Sequence, residues 1–355
     1  MDSTVLNQKI TIAVDVMSGD KGLAELLPAV ISTVKEHDQL TVIAVGQQEQ
    51  LKAHIGNHPM VTSGRIVIHH ASEVVAMDEQ PQSALKNKKD SSMRVAINLV
   101  KNGQAMACVS AGNTGALMAT ARFVLKTMPG IDRPAICTVL PSIRSPYKHV
   151  HMLDLGANVD EEPKHLQQFA MMGSLIATAV DKNENPKVAL LNIGSEAIKG
   201  NSLVRETAKL LQNTDVNYIG FVEGDGIFFD DVDVVVCDGF SGNVALKTLE
   251  GSCKLVAKYL EASYKQNIFT KMAALISKPV LRSLKSKVDP RNYNGASLLG
   301  LRGIVVKSHG NADRISFANA INIAIKLADQ DVVGKIEKQF SVEDGITSDS
   351  EQVKG

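Results

Sequence analysis

Residues 105–115 read Ala-Met-Ala-Cys-Val-Ser-Ala-Gly-Asn-Thr-Gly, and the pattern in this stretch decides the fold. A short apolar run stops at a small polar residue beside a glycine. A continuous apolar run of this length is typical of a strand buried on both faces. The pattern recurs six more times, at 10–19, 151–156, 188–194, 218–224, 232–239 and 304–310. The repetition predicts a mostly parallel sheet with polar residues collected at one end of its strands.

Helical patterns fill most of the intervals between these strands, for example at 91–102, 114–127 and 162–180. Strands that alternate with helices form crossover units, with helices on both faces of the sheet. We therefore predict a three-layer α/β/α sandwich with a Rossmann-like sheet, as a single domain over residues 1–340. The polar, acidic residues 341–355 have little to bury and are predicted to be a disordered tail.

The composition limits the possible partners and the compartment. Lysine plus arginine and aspartate plus glutamate balance at 38 each, so no net charge attracts the chain to nucleic acid. The four cysteines include no C-x-x-C pair and lie in apolar runs, which is typical of reduced, buried thiols. The first apolar run is short and ends in Asp15, unlike a signal peptide. We therefore expect a cytoplasmic protein.

Residues 262–292 interrupt the alternation. From 262 to 288 there are six basic residues and no acidic one, and apolar residues follow a helical spacing. Because Pro279 lies inside this pattern, we predict two short helices in a protruding amphipathic hairpin. Such a basic hairpin suits a membrane surface or an acidic partner, although an ordinary core-facing stripe is the alternative. The candidate membrane or acyl-chain contacts are Ile268, Phe269, Met272, Leu275, Ile276, Leu281 and Leu284.

The polar residues at the strand ends are candidates for substrate binding. Open α/β sheets bind ligands in the crevice at the carboxyl ends of their strands, and the N–H groups at a helix start favour an anion. The alternative is a set of ordinary capped turns, because Asn and Thr cap helices in many proteins. The candidate substrate-binding residues are Asp15, Asn113, Thr114, Gly115, Asp154, Asn158, Asn192, Gly194, Glu196 and Glu223.

Four residues are candidates for catalysis. Lys199 follows Glu196 by three positions on a glycine-bounded loop, where a lysine can hold an anion and the glutamate can orient it. The alternative is a surface ion pair of little energetic consequence. Asp238 and Asn243 flank a further turn, and His309 is the histidine found at a strand end.

Several familiar motifs do not occur. The chain has no G-x-G-x-x-G, no G-x-x-x-x-G-K-[ST] and no G-x-S-x-G, so no nucleotide cofactor or serine nucleophile is expected. His149 and His151 alternate onto one strand face but have no cysteine or carboxylate at a matching spacing. We interpret them as structural histidines and predict no metal site.

At these turns the chain resembles the phosphate:acyl–acyl-carrier-protein acyltransferases, the PlsX family of bacterial phospholipid synthesis. The matching stretches include Ser110-Ala-Gly-Asn-Thr-Gly115, Leu153-Asp-Leu-Gly-Ala-Asn158, Asn192-Ile-Gly-Ser-Glu-Ala-Ile-Lys-Gly-Asn201, Asp238-Gly-Phe-Ser-Gly-Asn243 and Ser308-His-Gly-Asn311. Two positions depart from the family pattern: Ser18 replaces its usual glycine, and Asn87 replaces its usual arginine.

The resemblance implies acyl transfer from a long-chain acyl-acyl-carrier protein to inorganic phosphate, without a cofactor. It also implies a sheet like those of isocitrate dehydrogenase and phosphotransacetylase, a homodimer and peripheral membrane association. The product would pass to an acylphosphate:glycerol-3-phosphate acyltransferase. On this hypothesis phosphate binds at one crevice edge, between Asn113–Gly115 and Asn192–Gly194, with Lys199 as the positive charge. Asp238 and Asn243 orient substrate, and His309 protonates the leaving thiolate.

Three other functions remain open at this point. A phosphotransacetylase-like enzyme would use acyl-coenzyme A, such as acetyl-coenzyme A, as the donor. A non-catalytic scaffold would recruit fatty-acid enzymes to the membrane. A nicotinamide dehydrogenase on a related sheet is disfavoured because the dinucleotide fingerprint is missing.

Overall fold

The computed structural model describes residues 8–143 and 149–341. The strands are β1 Ile10–Asp15, β2 Leu40–Gly46, β3 Ile66–His70, β4 Ala107–Ser110, β5 Ala135–Pro141, β6 His149–Leu153, β7 Val188–Leu191, β8 Tyr218–Val222, β9 Val234–Val236, β10 Ala296–Leu299 and β11 Ile304–Lys307. The helices are α1 Leu23–Glu36, α2 Gln48–Ile55, α3 Pro59–Thr62, α4 Pro81–Asn87, α5 Ser92–Lys101, α6 Thr114–Leu125, α7 Pro163–Asp181, α8 Ser202–Leu211, α9 Gly226–Phe229, α10 Gly239–Lys265, α11 Ile268–Val288 and α12 Arg314–Asp329, with a 3₁₀ turn at Pro290–Tyr293. The alternation of strands and helices predicted from the sequence is confirmed.

The strands form one sheet of 11 strands in the order β3-β2-β1-β4-β11-β10-β5-β6-β9-β7-β8. The first five strands are parallel to one another, and so are the last four. Between them β10 is antiparallel to both β11 and β5, and β5 is antiparallel to β6. The two parallel halves of the sheet therefore run in opposite directions.

Helices cover both faces of the sheet. In β1, Ile12 and Val14 belong to a core shared with α1 and α12, whereas Ala13 belongs to a core shared with α5 and α6. All three side chains are completely buried. Burial of each valine or isoleucine side chain contributes about 1.5–3 kcal/mol, so these runs strongly favour a central strand over an exposed one. The predicted three-layer arrangement is confirmed.

The segment predicted as two short helices is one continuous helix. Helix α11 runs through Pro279 from Ile268 to Val288, so the predicted break is wrong. Proline removes one N–H donor, but the carbonyl four residues earlier belongs to exposed Leu275, where water can satisfy it. Helix α11 contacts α10, which precedes it by two residues.

Large apolar side chains on α11 face solvent. Ile268, Phe269, Met272, Leu275, Ile276 and Leu284 are exposed, and Leu281 is half-buried. Across the described ranges, no helix has the length and apolar character needed to cross a membrane. The predicted tail, residues 341–355, lies outside the described residues from position 342 onward. Immediately before it, Val332, Ile336 and Phe340 are buried in the core.

Candidate functional site

The ends of β1 and β4 are joined by a buried hydrogen-bond network. Ser110 Oγ donates to Asp15 Oδ2 at 2.7 Å, and the N–H of Ala111 donates to Ser18 Oγ at 3.0 Å. Burial raises the pKa of Asp15, while hydrogen bonds from nearby serines, including Ser92, oppose that rise. Because Asp15 is fully buried, it holds these two loops together and does not face an open surface.

Asn113 organises the adjacent turn. Its Oδ1 accepts the N–H of Ala116 at 2.9 Å and so caps α6, as the sequence predicts. Its Nδ2 donates to the carbonyl oxygens of Met77 at 2.7 Å and Glu79 at 3.1 Å. The side chain is thus occupied by the protein, whereas neighbouring Thr114 and Gly115 are exposed.

The end of β11 carries Lys307 and His309. Burial lowers the pKa of Lys307 to about 8, with the charge of Asp20 opposing this effect. Two hydrogen bonds position His309: its backbone N–H donates to Asn294 Oδ1 at 2.9 Å, and its ring Nδ1 accepts the backbone N–H of Asn311 at 3.3 Å. A neutral His309 ring in this arrangement carries its proton on Nε2 and can donate from that atom.

Asp154 organises the loop after β6. Its carboxylate accepts N–H groups from Ile136 at 2.8 Å, Leu155 at 2.7 Å, Ala157 at 3.2 Å and Asn158 at 2.8 Å. The Asn158 side-chain amide donates to the same carboxylate at 3.1 Å. Burial raises the pKa of Asp154 to about 6 in spite of these donors. Asp154 and Asn158 are both buried, so they shape the loop from behind.

The first turn of α10 packs directly on that loop. Asp238 caps the helix by accepting the N–H of Ser241 at 2.9 Å, and the N–H of Gly239 donates to Asn158 O at 2.9 Å. Asn243 is exposed and lies beside Gly156. The structure therefore brings Asp154, Asn158, Asp238 and Asn243 together, although they come from two separate strand ends.

Helix α10 connects the group formed by Asp154, Asn158, Asp238 and Asn243 to the end of β11. Partial burial lowers the pKa of His309, and the charges of Lys247 and Lys254 lower it further, while Glu250 opposes them. These three charged residues all lie on α10, one to three turns beyond Asn243. The lysines were missed in the sequence, where the only available signal was their position on the helix that Asp238 begins.

The loop after β7 leaves the same edge of the sheet as the loops after β6 and β9, because β6, β9 and β7 are neighbouring parallel strands. Asn192 Nδ2 donates to the carbonyl oxygens of Gly194 at 3.1 Å and Lys199 at 3.4 Å, and so closes the loop. Glu196 and Lys199 are exposed on it, as is Glu223 after the neighbouring strand β8.

The joint binding of phosphate by Asn113–Gly115 and Asn192–Gly194 remains a prediction. Strand β4 precedes the first turn and β7 the second, and these strands run in opposite directions. No hydrogen bond of these two described turns joins one to the other. The catalytic role of Lys199 remains a prediction.

Glu161 is a further residue that sequence reasoning missed. Its carboxyl oxygens are buried and accept no hydrogen bond among the described residues, although Nδ1 of His165 lies 2.8 Å from Oε2. Burial raises its pKa to about 7, and the nearby charge of Asp154 adds to the rise while Arg133 opposes it. In the sequence it looks like one of several acidic residues before a helix.

Comparisons with known proteins agree with this architecture. A family model described as "Fatty acid synthesis protein" matches residues 10–335. The phosphate acyltransferase of Methylococcus capsulatus is 53% identical over 331 residues, which cover 93% of this chain and 97% of that protein. That of Alkalilimnicola ehrlichii is 55% identical over 320 residues, covering 90% and 93% respectively.

Solved structures with low sequence identity share the fold. A phosphotransacetylase from Streptococcus pyogenes has a TM-score of 0.60 at 17% identity and aligns over 91% of this chain and 95% of its own. A branched-chain phosphotransacylase from Enterococcus faecalis has a TM-score of 0.53 at 16% identity, over 89% and 98%. The predicted phosphotransacetylase-like sheet is therefore confirmed. By its family match and its relatives, the chain belongs to the fatty acid synthesis protein family, among the phosphate acyltransferases.

Proposed function

We propose that this phosphate acyltransferase takes its acyl group from a long-chain acyl-acyl-carrier-protein thioester. A phosphate oxygen attacks the thioester carbonyl, a new C–O bond forms and the C–S bond breaks. The products are acyl phosphate and the free carrier-protein thiol, whose sulfur takes up one proton. The observation that supports a site for this chemistry is the group of lysines around His309 at the end of β11.

Phosphate itself serves as the nucleophile in this proposal. Cys108, Cys137 and Cys237 are buried, and burial raises the pKa of each thiol. A thiol that stays protonated is a poor nucleophile, which argues against an acyl-cysteine intermediate at these positions. Holding phosphate beside the thioester can contribute about 7–11 kcal/mol through proximity alone.

The proposed reaction centre lies between the end of β11 and the first turns of α10. Lys247 and Lys254 supply positive charge there for the phosphate. No hydrogen bond among the described residues uses Nε2 of His309, so its N–H can donate to the developing oxyanion or the departing sulfur. One such donor contributes roughly 2.7–4 kcal/mol in other acyl-transfer sites. Buried Asp15 and Asp154 act indirectly, by holding the loops on which the exposed residues sit.

The reaction is tested by incubating the full chain with palmitoyl-carrier protein, with and without phosphate. Phosphate-dependent release of thiol together with acyl phosphate supports the proposal. Equal or faster turnover of acetyl-coenzyme A or palmitoyl-coenzyme A would favour the phosphotransacetylase-like alternative. Failure to release thiol from any donor would favour a non-catalytic scaffold.

Lys199 is proposed to bind phosphate as a point charge. Its side chain is exposed on the loop that Asn192 closes. A hydrogen bond to a charged group contributes about 1.5–3 kcal/mol, so Lys199→Ala should lower kcat/KM for phosphate by roughly 10- to 150-fold. The matched control is Lys209→Ala, an exposed lysine on α8. Normal turnover of Lys199→Ala at low phosphate would contradict the assignment.

We further propose that α11 binds the membrane surface. Its exposed Phe269, Leu275 and Ile276 would insert, while its basic residues would attract anionic lipid. Each buried leucine contributes about 1.5–3 kcal/mol, so Leu275→Glu should weaken binding to phosphatidylglycerol vesicles by at least about tenfold. Phe123→Glu, at an exposed aromatic residue on α6, is the control. Equal flotation of both variants with vesicles would contradict a specific role for α11.

The remaining parts of the proposal concern assembly and location. We propose a cytoplasmic homodimer that passes its acyl phosphate to an acylphosphate:glycerol-3-phosphate acyltransferase at the membrane. Support comes from the buried, unpaired thiols and from the exposed apolar surface of α11. The acidic carrier protein would dock on Lys86, Lys88 and Lys89, or on the basic face of α11. Light scattering of the purified chain tests the dimer directly.

A further inference from the structure

A cavity of about 110 Å³ lies away from the residues assigned to substrate. It is lined by the antiparallel centre of the sheet and by the helices α7 and α12. Three of its lining residues, His149, His151 and Asp181, each present a ligand-type atom, and these atoms all lie within 4.8 Å of one another. No other cluster of three such side chains is found among residues 8–143 and 149–341.

The fold creates this cluster from distant parts of the sequence. His149 and His151 are two positions apart on β6, so both side chains lie on the same face of the strand. Asp181 is the last residue of α7 and brings its carboxylate over that face. In the sequence the two histidines have no carboxylate nearby, and their spacing alone therefore indicates structural residues. The carboxylate that joins them, Asp181, lies 30 residues beyond His151.

We propose that His149, His151 and Asp181 bind a divalent transition-metal ion of the zinc class. Two imidazole nitrogens and one carboxylate oxygen are a donor set that zinc and its neighbours prefer, whereas magnesium and calcium prefer oxygen alone. Three protein ligands leave one position of a tetrahedral site for water, and the adjoining cavity has room for it.

The distances suit this role. Nε2 of His149 lies 3.0 Å, and Nε2 of His151 lies 2.6 Å, from the same oxygen, Oδ2 of Asp181. Ligands placed about 2.0–2.2 Å from a shared tetrahedral ion are themselves about 3.3–3.6 Å apart. A small outward movement of the side chains would therefore admit the ion without rebuilding the backbone.

One neighbouring feature supports a ligand at this position, and a second orients the carboxylate. Nδ1 of His151 is buried and has no hydrogen-bond partner in the described chain, so the cluster is incomplete as it stands. Lys326 Nζ lies 3.8 Å from the other carboxylate oxygen, Oδ1 of Asp181. Lys326 thereby engages Oδ1 and leaves Oδ2 directed at the two histidines.

Metal binding has a defined proton balance. An imidazole nitrogen can hold either a proton or the metal, so both Nε2 atoms release any proton they carry when the ion enters. The bound ion would join β6 to α7 within one half of the sheet. Through Lys326 on α12, the site also contacts the other half.

The test uses the full-length chain without a histidine tag, stripped of metal with a chelator. ZnCl₂ is titrated by calorimetry, and CoCl₂ is followed by its visible absorption. We expect one ion per chain and a rise in Tm with zinc. His149→Gln and Asp181→Asn should each weaken binding by more than about 100-fold, because even outer residues of metal sites change affinity 10- to 100-fold.

The control is His54→Gln, the same substitution at an exposed histidine on α2. It should bind zinc like the wild type. Circular dichroism tests whether His149→Gln remains folded, as we expect because the His149 side chain is partly exposed. Absence of stoichiometric zinc binding by the wild type would overturn the proposal. Equal affinity of the wild type and folded His149→Gln would also overturn it, by placing the ion elsewhere.

Discussion

Two glycines on helix α10 provide a direct test of how the first turn of this helix packs on the loop after β6. A Cβ at Gly242 would lie well within 3.0 Å of the carbonyl oxygen of Asp154 and 2.8 Å from Cys237 Sγ. A Cβ at Gly251, further along the same helix, would meet nothing within 4 Å. The substitution of glycine by alanine is therefore chemically identical at the two positions but sterically opposite.

The expected magnitudes follow from this contrast. Alanine is favoured over glycine in a helix interior by about 1 kcal/mol, so Gly251→Ala should stabilise the chain by about that amount. At Gly242 the methyl group must displace a backbone carbonyl or the helix start, and overpacking of this kind costs about 1–3 kcal/mol. Because both glycines lie inside α10, the propensity gain is common to both, and the two variants should differ in free energy of unfolding by about 1–3 kcal/mol, the cost of overpacking.

Urea denaturation monitored by circular dichroism measures this difference, and phosphate-dependent thiol release measures its consequence for activity. Gly242→Ala moves the first turn of α10 away from Asp154 and so shifts Asn243 and Lys247; its kcat/KM should fall while that of Gly251→Ala is retained. If Gly242→Ala were as stable and as active as Gly251→Ala, close packing of α10 on this loop would not be a constraint on the site.

Two further predictions concern buried charges. The lowered pKa of Lys307, about 8 in the fold against about 10.4 when unfolded, means that the unfolded chain binds more protons between these values. Stability of the wild type relative to Lys307→Met should therefore rise with pH across that window, as followed by urea midpoints from pH 7.5 to 10; a constant difference would refute it. Asp154→Asn replaces an acceptor oxygen with an amide that faces N–H donors and should cost about 2–3 kcal/mol in urea unfolding, and an unchanged midpoint would contradict this.

The local features of the fold could be predicted from the sequence because they depend on neighbouring residues. Residues 107–109 of the apolar run lie in the buried strand β4, and Asn113 caps the helix that follows it. The direction of each half of the sheet could not be predicted in this way. It depends on β10 and β5 pairing antiparallel in the centre, and nothing in their residues specifies a partner strand.

The same distinction applies to the candidate site. Loop residues such as Asn192 were recognised from their local pattern, and the structure shows how they close their own turns. The lysines of α10 near His309, the buried Glu161 and the carboxylate of Asp181 were not recognised. The environment of each of these side chains is set by residues that are distant in sequence. The local sequence around such a side chain therefore does not indicate the contact.

The reversal of direction within the sheet has a consequence for how a two-substrate reaction can be organised. If all strand ends shared one edge, their loops alone would form the site. Because the halves run in opposite directions, a connecting element is needed, and α10 is fixed at its start to the loop after β6 while its later turns carry charge to His309. The position of Lys247 relative to His309 therefore depends on how the first turn of α10 is seated. The packing around Gly242 and the electrostatics around His309 are for this reason two aspects of one structural constraint, and a change at either should be detected at the other.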